Sequence, residues 1–139
     1  MSGFSNRGPQ DNPNTSPYPS GPALIDMSLI AGGGGHSATT NITARAGGGQ
    51  ATATPLTAGI NRIAVCATAG DSVALPRSVG GQIISVYNGG AAAMQVFAAV
   101  GTSDTINSVA GSTGVSLAAA KGALFCSSAP GSWFWNLSA

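Results

Sequence analysis

The chain has 139 residues, and only 6% of them are charged: five Lys or Arg, four Asp and no Glu, giving a formal net charge of +1. A typical soluble domain carries roughly 25%. Five scattered cations (Arg7, Arg45, Arg62, Arg77 and Lys121) cannot form a nucleic-acid stripe, and a coiled coil would need the Glu and Lys that are missing.

Ala, Gly, Ser and Thr make up 73 of the 139 residues, whereas Leu, Ile, Val and Phe together number 27. The core is therefore expected to be thin. With 43% apolar residues and almost no net charge, disorder throughout is not expected. A freely diffusing surface usually holds about 25–35% charged residues. A chain this poor in charge is expected either to have its surface covered by neighbours, as in an assembly, or to be solvated by Ser, Thr, Asn and Gln.

Residues 1–36 form the first unit. Pro9, Pro13, Pro17, Pro19 and Pro22 punctuate Asn, Ser and Gly with no period of 2 or 3.6. Such a segment buries too little to order itself, and the expectation is an extended arm held by a partner. Its opening, Met1-Ser-Gly-Phe-Ser-Asn-Arg7, carries neither the apolar core of a secretory signal nor the second-position Gly of a myristoylation site. Leu24-Ile25-Asp26-Met27-Ser28-Leu29-Ile30 is an apolar island, too short to stand as a helix and suited to anchoring on a neighbour. Gly32–Gly35 then reads as a hinge.

Residues 37–139 form the second unit, and its text is β. Ala38–Arg45 and Ala51–Thr57 are Thr-rich and bounded by Gly, with Pro55 confining the latter to an edge or bulge. Ile60–Ala67 and Asp71–Leu75 follow, the second stopped by Pro76. Gln82–Tyr87 and Ala93–Val100 flank Asn88-Gly89-Gly90, which predicts a tight hairpin with positive φ angles at the turn. On its first strand Ile84 and Val86 should point one way and Ile83, Ser85 and Tyr87 the other. Thr113–Leu117, Gly122–Ser127 and Ser132–Leu137 complete the set. Turn signals every 8–12 residues predict an all-β, antiparallel, jelly-roll-like sandwich or barrel. No apolar run reaches 18 residues, so no membrane-spanning helix is expected.

Chemistry is sparse. His36, the only histidine, adjoins the glycine run and has no nucleophile elbow to serve. Asp71 and Asp104 lie in turn text, where a carboxylate caps backbone amides. Lys121 lacks the phosphate-loop context, and the remaining His, Cys and Asp lack metal-ligand spacing. Cys66 and Cys126, 60 residues apart, are expected as free thiols in apolar strands, with a bridge within one subunit or between two as the alternative. No catalytic residue, cofactor or metal is expected. The aromatics are the remaining candidates: Tyr87, Phe97, Trp133 and Trp135 are candidates for an oligomer interface, with a sugar-stacking platform of Tyr87, Trp133 and Trp135 as the competing reading. A Thr52–Thr54 ice-binding ladder is too short to rank with these.

The runs Ala69-Gly-Asp-Ser-Val-Ala-Leu-Pro76, Gly80-Gly-Gln-Ile-Ile-Ser-Val-Tyr-Asn88, Met94-Gln-Val-Phe97, Asp104-Thr-Ile-Asn107, Leu117-Ala-Ala-Ala-Lys-Gly122 and Gly131-Ser-Trp133 resemble a small β-rich structural protein of tailed-bacteriophage virions, of the capsid decoration (cement) or fibre-associated type. The resemblance spans about residues 50–137. It implies a non-enzymatic virion component on the capsid exterior, made in the host cytoplasm. The expected partners are the major capsid protein and further copies of the chain, as a homotrimer, without nucleic acid or membrane. The candidate capsid contacts lie on the arm: Phe4, Arg7, Tyr18, Leu24, Ile25, Met27, Leu29 and Ile30. The alternative is a fibre or spike domain that binds host-surface glycans through exposed aromatics.

Overall fold

Ile, Val and Thr fit a pleated, half-buried surface, and the segments rich in them become strands. The computed structural model describes residues 36–139, of which Ser37–Ala139 forms one compact unit. Its strands are β1 (Ala38–Thr43), β2 (Thr54–Pro55), β3 (Ile60–Val65), β4 (Ser72–Ala74), β5 (Gln82–Asn88), β6 (Met94–Phe97), β7 (Thr105–Ile106), β8 (Val109–Ala110), β9 (Val115–Leu117), β10 (Lys121–Ala129) and β11 (Ser132–Leu137). A single turn of 3₁₀ helix, Gln50–Thr52, precedes β2.

The strands form two sheets. The larger has the order β1-β3-β5-β10-β11-β7-β8, and the smaller β9-β6-β4-β2. Up to β6 the chain alternates between them. Strands β1, β3 and β5 lie parallel in one sheet, and β2, β4 and β6 parallel in the other. The path is a coil of solenoid type, whose large-sheet strands start at residues 38, 60 and 82, 22 residues apart. After β6 the chain folds back. Strand β9 pairs antiparallel with β6, β10 antiparallel with β5 and β11, and β7 returns parallel to β11.

This corrects the expected antiparallel jelly-roll sandwich or barrel. The all-β class stands, but the sheets are mixed and the first half is a parallel coil. The physical reason is that side-chain alternation is the same in both kinds of ladder. Parallel strands also do not demand helical crossovers when the return path is a strand of a facing sheet.

The expected hairpin over 82–100 is likewise corrected. Strands β5 and β6 belong to different sheets. Neither Gly89 nor Gly90 has positive φ. Both are glycine because the corner lies against the preceding coil: a Cβ on Gly90 would stand 2.4 Å from the Cys66 amide nitrogen, and one on Gly89 would stand 2.9 Å from the Ile63 carbonyl oxygen. Hydrogen bonds stitch the two corners together, from Gly89 N–H to the Ile63 carbonyl (2.8 Å) and from the Ala91 and Ala92 amides to the Cys66 carbonyl (3.0 Å each). Asn88, wholly buried, locks the turn. Its Nδ2 donates to the carbonyls of Ala92 (2.9 Å) and Leu117 (3.0 Å), and its Oδ1 accepts from Gly90 N–H (3.0 Å). The two-residue hairpin turn sits instead at Asn107-Ser108, between the paired Ile106 and Val109, with φ of 47° and 68°.

The core lies between the sheets. Ile63, Ile84, Val86, Phe125 and Trp133 reach in from the larger one, and Val73, Met94, Val96 and Leu117 from the smaller. On β5 the expected alternation holds: Ile84 and Val86 are buried, Ile83 and Tyr87 exposed. Phe97 points the other way from Val96 and packs with Ala53 and Ala74, where the 3₁₀ turn covers the small sheet. Gln50 fastens that cover through Nε2 to the carbonyls of Ala98 and Ala99.

Candidate interaction surface

The two side-chain carboxylates among the described residues are used within the fold. Asp71 is buried between two stacked corners. Its Oδ2 accepts from the Ala67 and Thr68 amides (2.9 and 3.0 Å) and its Oδ1 from Gly47 (3.2 Å). Bonds from Thr68, and then from Gly47 and Ala67, hold its carboxyl below the usual value of 3.8, outweighing its burial. Asp104 Oδ2 accepts from Ser78 N–H at 2.8 Å, and Ser78 Oγ accepts in turn from Gly131 N–H. Both carboxylates thus hold loops, as their turn context implied. His36 is exposed at the edge of the described residues.

Cys66 and Cys126 are free thiols, the first buried and the second half-buried. Burial, followed by the neighbouring Asp71 charge, pushes the Cys66 thiol above its ordinary value. Among the described residues no cluster of three or more His, Cys, Asp or Glu could hold a metal ion, and no helix is long and apolar enough to cross a membrane.

The aromatic candidates separate. Trp133 is 1% exposed and Phe97 6%, so both rings belong to the protomer's interior. Trp135 shares the inward side with Trp133 and stacks half-buried on Phe125, with centroids 5.6 Å apart. Only Tyr87 stands on the surface, and the sugar-stacking trio does not converge. Phe4, Arg7, Tyr18, Leu24, Ile25, Met27, Leu29 and Ile30 lie outside the described residues.

What the structure does assemble is the outer face of the larger sheet. Strands β3, β5, β10 and β11 place Ile60, Ile83, Tyr87, Leu124 and Phe134 on it, each between 41% and 49% exposed. Register makes them neighbours. Cys126 stands opposite Ile83 on one side and Phe134 on the other. Leu124 lies between Ser85 and Asn136, with Ile60 beyond Ser85. Tyr87 lies between Gly122 and Arg62, the one charged residue in these rows. Where Gly122 leaves a gap, a groove of about 320 Å³ opens between Leu124 and Leu137, edged by Ser85, Asn136 and Ser138. A solvated sheet face normally alternates to polar residues; this one does not.

Sequence reasoning found Tyr87 and Ile83 on this face. Alternation sets Phe134 opposite Trp133 without saying which side is core, and it does not reach Ile60 or Leu124: Ile60 comes beside Ser85 through the parallel β3–β5 pairing, and Leu124 and Phe134 join the face through the antiparallel β5–β10 and β10–β11 pairings. No family model, curated protein or solved structure matches the chain.

Proposed function

We propose that the chain is a non-enzymatic structural subunit of a tailed-phage virion, a decoration (cement) protein on the exterior of the head. The homo-oligomeric β unit would stand on the shell, and the Pro-rich arm would bind the major capsid protein. The observation that carries the reading is the apolar outer face of the larger sheet, which the described residues leave exposed, on a chain with only 6% charged residues. A protein that meets many neighbours gains from few charges, because a buried charge is costly unless paired. A Pro-rich segment bound along a partner can wrap a large surface. Two further observations support it. Asp71 and Asp104 are both committed to backbone amides, and the rings that a glycan platform would use are turned inward at Trp133 and Trp135.

The test is electron-microscope imaging of the particle with and without the chain. Periodic density on the shell, lost on omission, is the expected result. Density confined to a tail or vertex would make the chain a fibre or collar component, and no difference in density would refute the reading.

A further inference from the structure

We propose that the outer face of the β3-β5-β10-β11 sheet is the surface on which a second copy of this chain docks, sheet face against sheet face. The inference rests on the assembly reading above and adds to it the partner and the residues in contact.

Area is the first argument. At full side-chain areas of roughly 200–250 Å², the exposed fractions of Ile60, Ile83, Tyr87, Leu124 and Phe134 leave on the order of 500 Å² of largely apolar surface open. That is as large as the largest patch of a typical monomer, about 300–600 Å². With the half-buried Ser85 and Cys126 and the exposed Arg62 and Asn136 around it, the face approaches the roughly 800 Å² per partner of a standard stable interface. Each copy supplies the same area, so a pair satisfies both faces at once.

Charge is the second argument. The face carries no acid, and its one cation, Arg62, lies at its margin over Gly89, where a Cβ would stand 3.3 Å from the guanidinium. Nothing on it attracts a polyanion or an acidic peptide. A surface apolar at its centre and nearly neutral at its rim complements itself, and self-complementarity is what an isologous contact needs. The ladder is complete in β3, β5 and β10, so a partner joins by side-chain packing and not by strand addition.

Cys126 supplies the readout. The chain has two cysteines, and Cys66 is 1% exposed with its thiol pushed toward the protonated form, leaving Cys126 as the reactive one. It sits on the docking face between Ile83 and Phe134.

The experiment uses the full-length chain. Sedimentation equilibrium gives its mass, and maleimide labelling gives the rate at Cys126. Leu124→Lys and Ile83→Asp place charges on the face, and Val79→Asp places one at an equally exposed position outside these strands. Wild type and Val79→Asp are expected to sediment at two or more chain masses with slow labelling. The face variants are expected to weaken association at least ~100-fold, since unpaired charge in an interface is worth several kcal/mol. They should label at least ~10-fold faster in proportion to the monomer fraction they release, with an unchanged circular-dichroism spectrum. A wild-type chain that is monomeric throughout would overturn the inference, as would face variants that associate and label as wild type does. If that monomer still bound phage heads, the virion reading would survive and the face would belong to the capsid. If the face variants dissociate but the wild-type oligomer ignores heads, the inference stands and the virion reading fails.

Discussion

Asn88 is the side chain on which the β5–β6 corner turns, and truncating it measures how the coil is held. Asn88→Ala leaves the carbonyls of Ala92 and Leu117 and the amide of Gly90 without their partner, in a wholly buried site. Each lost bond is worth about 1 kcal/mol and leaves a buried polar group to desolvate, so the three together give roughly 3–5 kcal/mol. Against a domain stability of about 5–15 kcal/mol, that lowers the melting temperature by some 15 °C or more. Asn88→Asp keeps the shape but swaps the donor for an oxygen facing those two carbonyls. At neutral pH it is expected to be at least as destabilised as the alanine variant. Its folded-state carboxyl is pushed above the ordinary 3.9 or so, because only the neutral form can donate. Its deficit against wild type should therefore shrink as pH falls toward and below that value. Thermal and urea unfolding at pH 7 and at pH 4 measure both effects. An alanine variant within about 1 kcal/mol of wild type, or an aspartate variant as stable as wild type at pH 7, would refute the reasoning.

Gly90→Ala is expected to disrupt the fold, since its Cβ collides with backbone at Cys66, while Gly49→Ala, with open space around the new methyl, is expected to be silent; expression and melting temperature distinguish them. Asp71 has a depressed folded-state value, so the stability it contributes is complete above the ordinary value of 3.8 and is lost as pH falls through the depressed one. A wild-type melting temperature that drops below pH 4, and drops less in Asp71→Asn, is the expected pattern in a pH series of unfolding curves. Cys66→Ser buries a hydroxyl in the core and is expected to lose about 1–3 kcal/mol, whereas Cys126→Ser, half-buried on the outer face, should lose much less; urea unfolding under reducing conditions gives both values.

The strands were legible because burial leaves a period of two in the side chains. Ile84 and Val86 against Ile83 and Tyr87 is such a pattern, and Pro55 does lie on β2, at the edge of the smaller sheet. The roles of Asp71 and Asp104 were legible from their turn context. Pairing was not. Alternation carries no sign of strand direction, and the coils share no side-chain ladder that would expose their repetition: Ile63 meets Ile42 on one side but Asn88 on the other. Asn88-Gly89-Gly90 misled for a definite reason. Glycine serves a positive φ and a close approach equally well, and only the neighbouring coil decides which. The two-residue strands β7 and β8 are too short for any periodicity, although Asn107-Ser108 is turn text. Trp133 and Phe134 show the same division on one strand: alternation sets them on opposite sides, but which side is core is fixed by the smaller sheet, whose Val73, Met94, Val96 and Leu117 share the buried cluster with Trp133.

If a second copy of the chain covers the apolar outer face of the larger sheet, the mass of the protein in solution depends on that face. Sedimentation equilibrium of the full-length protein with Leu124→Lys beside wild type tests it most directly, because Leu124 is 46% exposed and the substitution removes nothing from the core. Wild type is expected at two or more chain masses and the variant as a folded monomer. Equal masses for the two would contradict it.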